Sequence, residues 1–290
     1  MDVIILCHGL GNQLSQYAFY MNKRMLNQKT AAFYTFKQHS GYQLKSIFNL
    51  SEGLGWYRFL VLAIIRIGLS RRYYSENKIN FFLSLFRIQI ITERSDYQFN
   101  SELVKPWLGL RIFYGGWHRE EYFIQSEAYI RKIYKFPDLD GKNQEIIDLI
   151  EGSNSVSLHV RRGDYLDAKS YKIFGEISTL NYYKNAIDNI NQSVIEPKFF
   201  IFSDDIAYCK ENLKINNAYF VDINSGEDSW KDMVLMSKCK HNIIANSTFS
   251  WWAAWLNKNK SKKILCPKKF CNYDVPGNTI YPQSWIAIEG

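Results

Sequence analysis

From about residue 156 onward, short apolar runs and helix-length amphipathic segments follow one another in alternation, and this order limits the folds open to the chain. Residues 156–160, 198–202, 218–221, 242–245 and 263–265 read as strands. Segments near 180–190, 206–213, 229–237 and 250–256 read as the helices between them. Parallel strands need crossovers of a dozen or more residues, so the pattern predicts an α/β fold, a parallel sheet with helices on both faces. The amino end repeats the theme once. Residues 3–6 are apolar, His8-Gly9-Leu10-Gly11-Asn12-Gln13 forms a glycine-bearing turn, and 14–26 read as a helix. A polar stretch at 137–143, a short helix at 145–150 and Gly152-Ser153-Asn154-Ser155 place a domain boundary near 150, giving domains 1–150 and 151–290.

With 290 residues, 47% of them hydrophobic, the chain can bury a full core as one large or two ordinary domains. Its net charge of +8 and pI near 9.0 favour anionic partners: nucleotide phosphates, nucleic acid or acidic lipid heads. Residues 1–7 run straight into an apolar strand with no basic leader, which reads as no signal peptide. Cys7, Cys209, Cys239, Cys266 and Cys271 include no CxxC pair and no zinc spacing, so reduced thiols and a cytoplasmic location are expected. The sequons at Asn191 and Asn246 then carry no glycosylation meaning.

Residues 54–70 are rich in Leu, Ile and aromatics, but Arg58 and Arg66 confine the longest apolar run to 59–65, too short to span a bilayer. Between 50 and 94, Arg58, Arg66, Arg71, Arg72, Lys78, Arg87 and Arg94 outnumber Glu52, Glu76 and Glu93. Two readings stand: an amphipathic surface resting on anionic lipid, giving peripheral membrane contact, or ordinary core helices.

Three motifs carry chemistry. His159-Val160-Arg161-Arg162-Gly163-Asp164-Tyr165 closes a buried strand at the sheet's carboxyl edge, where open α/β sheets bind ligands. Guanidinium forks match pairs of phosphate oxygens, and Asp164 can orient them; the plainer alternative is an Arg-Asp pair in a solvated turn. Asp204 and Asp205 end the next strand, where a carboxylate could accept paired hydrogen bonds from guanine or ribose, or simply cap the helix that follows. Asn246-Ser247-Thr248-Phe249-Ser250 opens a helix whose N–H groups and hydroxyls suit phosphate or serve only as a cap, with Trp251, Trp252 and Trp255 as core. Gly9-Leu10-Gly11 fails the dinucleotide fingerprint because Leu14 stands at its third glycine; the turn either faces an anion or is a tight turn capped by Asn12. His8, His39, His118, His159 and His241 are scattered, with neither a metal cluster nor a hydrolase triad, and no P-loop lysine follows a glycine turn.

Taken in order, Gly9-Leu10-Gly11-Asn12-Gln13 with Gln16-Tyr17-Ala18, the 159–165 block and Asn246-Ser247-Thr248-Phe249-Ser250-Trp251-Trp252 resemble the α-1,2-fucosyltransferases of glycosyltransferase family 11. More distantly they resemble the α-1,6- and protein O-fucosyltransferases. The resemblance implies a GT-B-like architecture, two Rossmann-like domains facing across a cleft, with GDP-fucose held mainly by the second and no metal or cofactor. It implies inverting transfer of L-fucose to the 2-hydroxyl of a terminal β-galactoside, on a glycan acceptor that is free or lipid-linked. Arg161 would take the leading catalytic role with Asn12 assisting, and Asp164 would be the first candidate for general base. The donor would meet Gly9, Gly11, Asn12, His159, Arg161, Arg162, Asp204, Asn246, Ser247, Thr248, Phe249 and Ser250, with Asp204 reading guanine. His8 and Ser15 depart from the family's usual glycine and phenylalanine; with Gln13 they are the acceptor-side candidates. Alternatives are a GDP-sugar transferase with another sugar or acceptor, a glycan-binding relative without activity, and a basic nucleic-acid-binding protein. The last is disfavoured, since no repeated basic and aromatic strand motif occurs.

Overall fold

The structure, a computed structural model, describes residues 1–26, 28–35, 41–51, 58–69, 83–275 and 279–290. Its contacts divide the chain into two units, Met1–Lys135 and Phe136–Gly290. The division falls before the boundary expected near 150. Helix Gly141–Glu151 belongs to the second unit, where it buries Ile146, Ile147 and Ile150; the polar stretch preceding it is an entry loop.

In the first unit β1 (Asp2–Leu6), β2 (Thr30–Tyr34), β3 (Ile88–Thr92) and β4 (Leu110–Tyr114) form a parallel sheet in the order β2-β1-β4-β3. Successive side chains leave a strand on opposite faces, and both faces are used. Val3, Ile5, Ala31, Phe33 and Ile112 pack against Val61 and Ile65. Phe113, on the other face, meets Phe19 edge-on at 5.3 Å. Phe19 belongs to helix α1 (Leu10–Met25); α2 (Gln43–Phe48) and α3 (Arg58–Leu69) follow, then α4 (Glu127–Ile133). The inner side of α3 is thus core, as the second reading of residues 54–94 expected. Glu52, Arg71, Arg72, Glu76 and Lys78, like His39, lie outside the described residues. Among the described residues no helix is long and apolar enough to cross a membrane.

A buried charge cluster closes the amino end of this sheet. Asp2 accepts from Arg111 Nε and Nη2 at 2.8 and 2.7 Å, and Lys23 Nζ lies 2.7 Å from the same carboxylate. Burial pushes the Lys23 amine down to about 8 against the pull of Asp2. Removing one partner of a buried cluster costs about 3–5 kcal/mol, because a charge is left unmatched.

The second unit is a six-stranded parallel sheet of β5 (Asn154–Val160), β6 (Pro197–Ser203), β7 (Ala218–Val221), β8 (His241–Ile243), β9 (Ile264–Pro267) and β10 (Ile286–Ile288). Its order is β10-β9-β8-β5-β6-β7, the doubly wound order of Rossmann-like domains, and every pair is parallel. Helix α5 is Gly141–Glu151; α6 (Ala168–Phe174), α7 (Leu180–Ser193), α8 (Ile206–Asn212), α9 (Trp230–Lys238) and α10 (Thr248–Leu256) come after β5. Side-chain caps set several starts: Thr179 accepts from Tyr182 N–H at α7, Asp205 from Tyr208 N–H at α8 and Ser247 from Phe249 N–H at α10. Tyr182, Tyr183, Ala186 and Ile190 of α7 fill the core over β5 and β6, and Trp251, Trp252 and Trp255 are buried as expected. The α/β class and the parallel sheets agree with the sequence reading.

Candidate active site

The doubly wound order has one reversal, between β5 and β8, and ligands of open α/β sheets bind outside the carboxyl ends of the strands at such a point. The two blocks meet there. His159, on β5, and Phe249, in the first turn of α10 after β8, have ring centroids 5.8 Å apart. Tyr165 Oη donates to the Asn246 carbonyl at 2.9 Å, a second link between the same segments.

Both arginines are held by carboxylates from the β6 edge. Arg161 Nη2 donates to Asp164 Oδ1 at 2.7 Å, while its Nη1 lies 2.7 Å from Asp204 Oδ2. Asp204 Oδ1 accepts from the Arg162 N–H at 2.9 Å. Arg162 Nε donates to Asp205 at 3.2 Å, and its guanidinium lies 3.5 Å over the Tyr208 ring. Gly163 is required here: a Cβ would stand 2.6 Å from Asp204 Oδ2. Each fork is therefore pre-aimed and still partly exposed. The expected role of Asp204 as guanine reader meets a further role, that of fixing the Arg161–Gly163 turn.

His159 is buried with its Nδ1 unpartnered, although its backbone carbonyl accepts from Tyr183 Oη at 3.0 Å. Burial pushes the imidazole down to about 4, opposed by Asp204 and reinforced by Arg161, so the ring is neutral at physiological pH. The Nδ1 is thus a buried polar atom left without a partner at the carboxyl edge of the sheet, which is uncommon in a folded protein.

The carboxyl block divides by exposure. Asn246 is consumed internally: its Oδ1 accepts from Ser178 Oγ at 2.8 Å and its Nδ2 donates to the Phe174 and Phe270 carbonyls. Ser247 caps α10, and Ser250 Oγ donates to the Ala245 and Ser247 carbonyls. Thr248 and Phe249 remain partly exposed, with the N–H groups of the α10 first turn beside them.

In the first unit the turn after β1 differs in detail from expectation. The α1 helix starts at Leu10, with Gly9 as N-cap and no side-chain cap, so Asn12 sits half-buried inside the first turn and does not cap it. His8 takes a left-handed backbone with φ +67°. Gln13 is buried; its Nε2 donates to the His8 and Gly41 carbonyls at 2.8 Å each and its Oε1 accepts from Gln43 N–H. Ser15 is also buried, against His118 Nδ1 at 3.0 Å. His8, Gly9 and Asn12 are thus the partly exposed members of this turn, whereas Gly11, Gln13 and Ser15 shape it from beneath.

Sequence reasoning missed Glu93. It follows β3 and accepts from the Gly116 and Trp117 N–H groups at 2.7 and 3.0 Å, and burial pushes its carboxyl up to about 7. Gln16 ties that turn to β1, donating to the Gly115 carbonyl and accepting from Cys7 N–H, both at 2.9 Å. The one available signal was an acid directly after the apolar run Ile88–Thr92. Among the described residues no group of three or more His, Cys, Asp or Glu could hold a metal ion.

Fold and site define a class: a doubly wound α/β protein with two carboxylate-held guanidiniums and a helix start at the carboxyl edge of its second sheet, where such folds bind ligands. The family model described as Glycosyl transferase family 11 matches residues 2–289, and the chain belongs to that family. It is 30% identical to the Escherichia coli protein named alpha-1,2-colitosyltransferase, over 100% of this chain and 94% of that one. It is 38% identical to the E. coli O-antigen biosynthesis glycosyltransferase WbnK over 48% of this chain and 46% of that one. Over 46% of this chain and 38% of the relative it is 33% identical to human galactoside alpha-(1,2)-fucosyltransferase 1, so these last two matches span less than half of each relative. Among solved structures, fucosyltransferase NodZ from Bradyrhizobium aligns with a TM-score of 0.49 and 14% identity, covering 87% of this chain and 91% of that chain.

Proposed function

We propose that the protein transfers L-fucose from GDP-β-L-fucose to the 2-hydroxyl of a terminal β-galactoside, with inversion and without a metal. The observation that carries this reading is Arg161 at the sheet reversal, held by Asp164 and Asp204 beside the unpartnered, neutral His159. Breaking the sugar–phosphate bond leaves charge on the departing diphosphate. Preorganised donors placed where that charge develops stabilise the transition state most. Arg161, with Arg162 and the α10 first turn, supplies those donors. His159 donates through a ring N–H without adding a cation. Asn246, Ser247 and Ser250 act beneath the site by fixing the α10 start.

Asp164 is proposed as the base that takes the acceptor proton. Its bond to Arg161 must then pass to the incoming phosphate, which frees the carboxylate in the same step. Asp204 retains lone pairs for guanine N–H groups while it holds Arg161. The reading keeps His8 as the acceptor-side contact, with Gln13 and Ser15 beneath it, and gives Asn12 the assisting role at the donor.

A second reading is favoured by the relative matched along the whole chain, whose name specifies colitose. Colitose is fucose lacking one ring hydroxyl. A site built to bond that hydroxyl rejects the deoxy sugar strongly, whereas a merely apolar pocket tolerates both.

The deciding experiment is calorimetric titration of GDP, ADP and UDP in EDTA with the wild type and Arg161→Ala, followed by turnover of GDP-fucose and GDP-colitose on β-galactosides. GDP-selective binding weakened by the substitution supports the metal-free site. Equal binding of all three nucleotides, or a requirement for added metal, rejects it. Preference between the two donors then selects the sugar.

A further inference from the structure

Several exposed large apolar side chains of the first unit stand apart from Phe59 and Leu60 at the start of α3. A group of them lies around the amino end of its sheet, the end opposite the His8–Asn12 turn. Strands β1 to β4 are parallel, so residues just before each strand share one rim. Leu108 precedes β4 and is 82% exposed, with Trp107 beside it at 42%. Leu85 precedes β3 and is 65% exposed. Helix α1 runs back from the carboxyl end, so its last turn reaches the same rim with Met25 and Leu26, 51% and 40% exposed. Lys23 anchors that turn: its Nζ reaches the Leu103 carbonyl at 2.5 Å and Gln28 Oε1 at 3.3 Å. Arg111 Nη2 donates to the Lys105 carbonyl at 2.7 Å, which binds the 102–108 segment to β4.

Cations accompany these side chains. Arg24, Lys29, Arg87 and Lys105 are exposed at this rim, and among the described residues there Glu102 is the exposed carboxylate, paired with Lys105 at 2.6 Å. Asp2 is buried and matched by Lys23 and Arg111. Apolar tips ringed by exposed cations fit one partner chemistry: acyl chains under an anionic headgroup layer. Leucines and a tryptophan enter the interface while lysines and arginines reach the headgroups.

We infer that the amino-end rim of the first unit, formed by Met25, Leu26, Leu85, Trp107 and Leu108 with Arg24, Lys29, Arg87 and Lys105, docks on an anionic lipid bilayer. The surface joins Leu85 and Arg87, from the basic region that the sequence singled out, to Met25, Leu26, Trp107 and Leu108 from other segments. Docking in this sense leaves the His8–Asn12 turn on the aqueous side, one strand length or about 17 Å from the rim. The inference does not depend on the transfer chemistry.

The test is co-sedimentation of the full chain with phosphatidylcholine vesicles, with and without phosphatidylglycerol, at low and high salt. Binding to the phosphatidylglycerol vesicles alone, weakened by salt, is expected. Leu85→Asp with Leu108→Asp should weaken it about tenfold or more, as two leucines lose their apolar environment. Arg87→Glu with Lys105→Glu, which leaves the apolar tips intact, should weaken it by a similar factor or more. An unchanged melting temperature and circular dichroism spectrum of each variant serve as the folding control, since the substitutions lie in the first unit. No binding to either vesicle, or binding unchanged in both variants, overturns the inference. Dimerisation abolished by the leucine substitutions would assign the rim to a second copy and overturn it as well.

Discussion

In the proposed reaction Arg161 is the residue on which the chemistry turns, and its geometry sets the size of the expected effect. Losing one preorganised donor to a developing anion costs on the order of 10²- to 10³-fold in turnover. Arg161→Ala should show that loss in kcat, and near-wild-type activity would remove the arginine from its role. Gly163→Ala probes the same fork indirectly. Its methyl would meet Asp204 Oδ2 at 2.6 Å, pushing the carboxylate off Arg161. A misplaced catalytic group costs about 10²-fold, so activity should fall by about that factor while the melting temperature holds. Half of this arrangement was legible in the chain: Arg161 and Asp164 are three residues apart in one motif. The contact to Asp204 crosses two strands' worth of sequence, and only the β5–β6 pairing creates it.

At the scale of elements, buried acids and imidazoles act in opposite directions on stability. Burial pushes Asp232 of α9 up to about 7, eased by its bond from Asn224 Nδ2 at 2.7 Å, and Glu93 rises to about 7 as well. A raised acid binds protons more tightly when folded, so its contribution is present below about pH 4 and is lost as pH rises towards 7. His118 and His159, pushed down to about 3 and about 4, work the other way; their contribution is present above the usual histidine pKa near 6.5 and is lost on acidification. Asp232→Asn removes one falling component. Unfolding free energies of the variant should therefore climb more steeply between pH 4 and 7 than those of the wild type; parallel curves would show that Asp232 titrates normally. Ser247→Ala deletes the α10 cap at a cost of about 1 kcal/mol, readable by denaturant unfolding. Such caps were legible, since a small hydroxyl before an apolar run signals a helix start. The strands β2 and β4 were not, because short runs buried on both faces have no period of their own, and β3 was not, because its half-buried residues show no alternation of faces.

Across the whole molecule the five cysteines report on folding. All are buried, and desolvation raises every thiol, Cys7 to about 11 and Cys266 to about 12. Thiolate is the reactive form, so native protein should resist alkylation at neutral pH until it unfolds. Labelling of any cysteine much faster than global unfolding, followed by mass spectrometry, would reveal a local opening. Alternation of strand and helix, a property of the chain alone, determined the α/β class, the parallel sheet of the second unit and the motifs at its carboxyl edge. Tertiary structure decided which motif residues have their polar groups bonded within the fold. Asn246, Ser247, Ser250, Gln13 and Ser15 have polar groups that the fold satisfies internally, while His159 keeps a nitrogen that it does not. The physical reason is that a sequence specifies which groups can bond, whereas the partners of buried polar groups come from elements far apart along the chain and exist only once the sheets have formed.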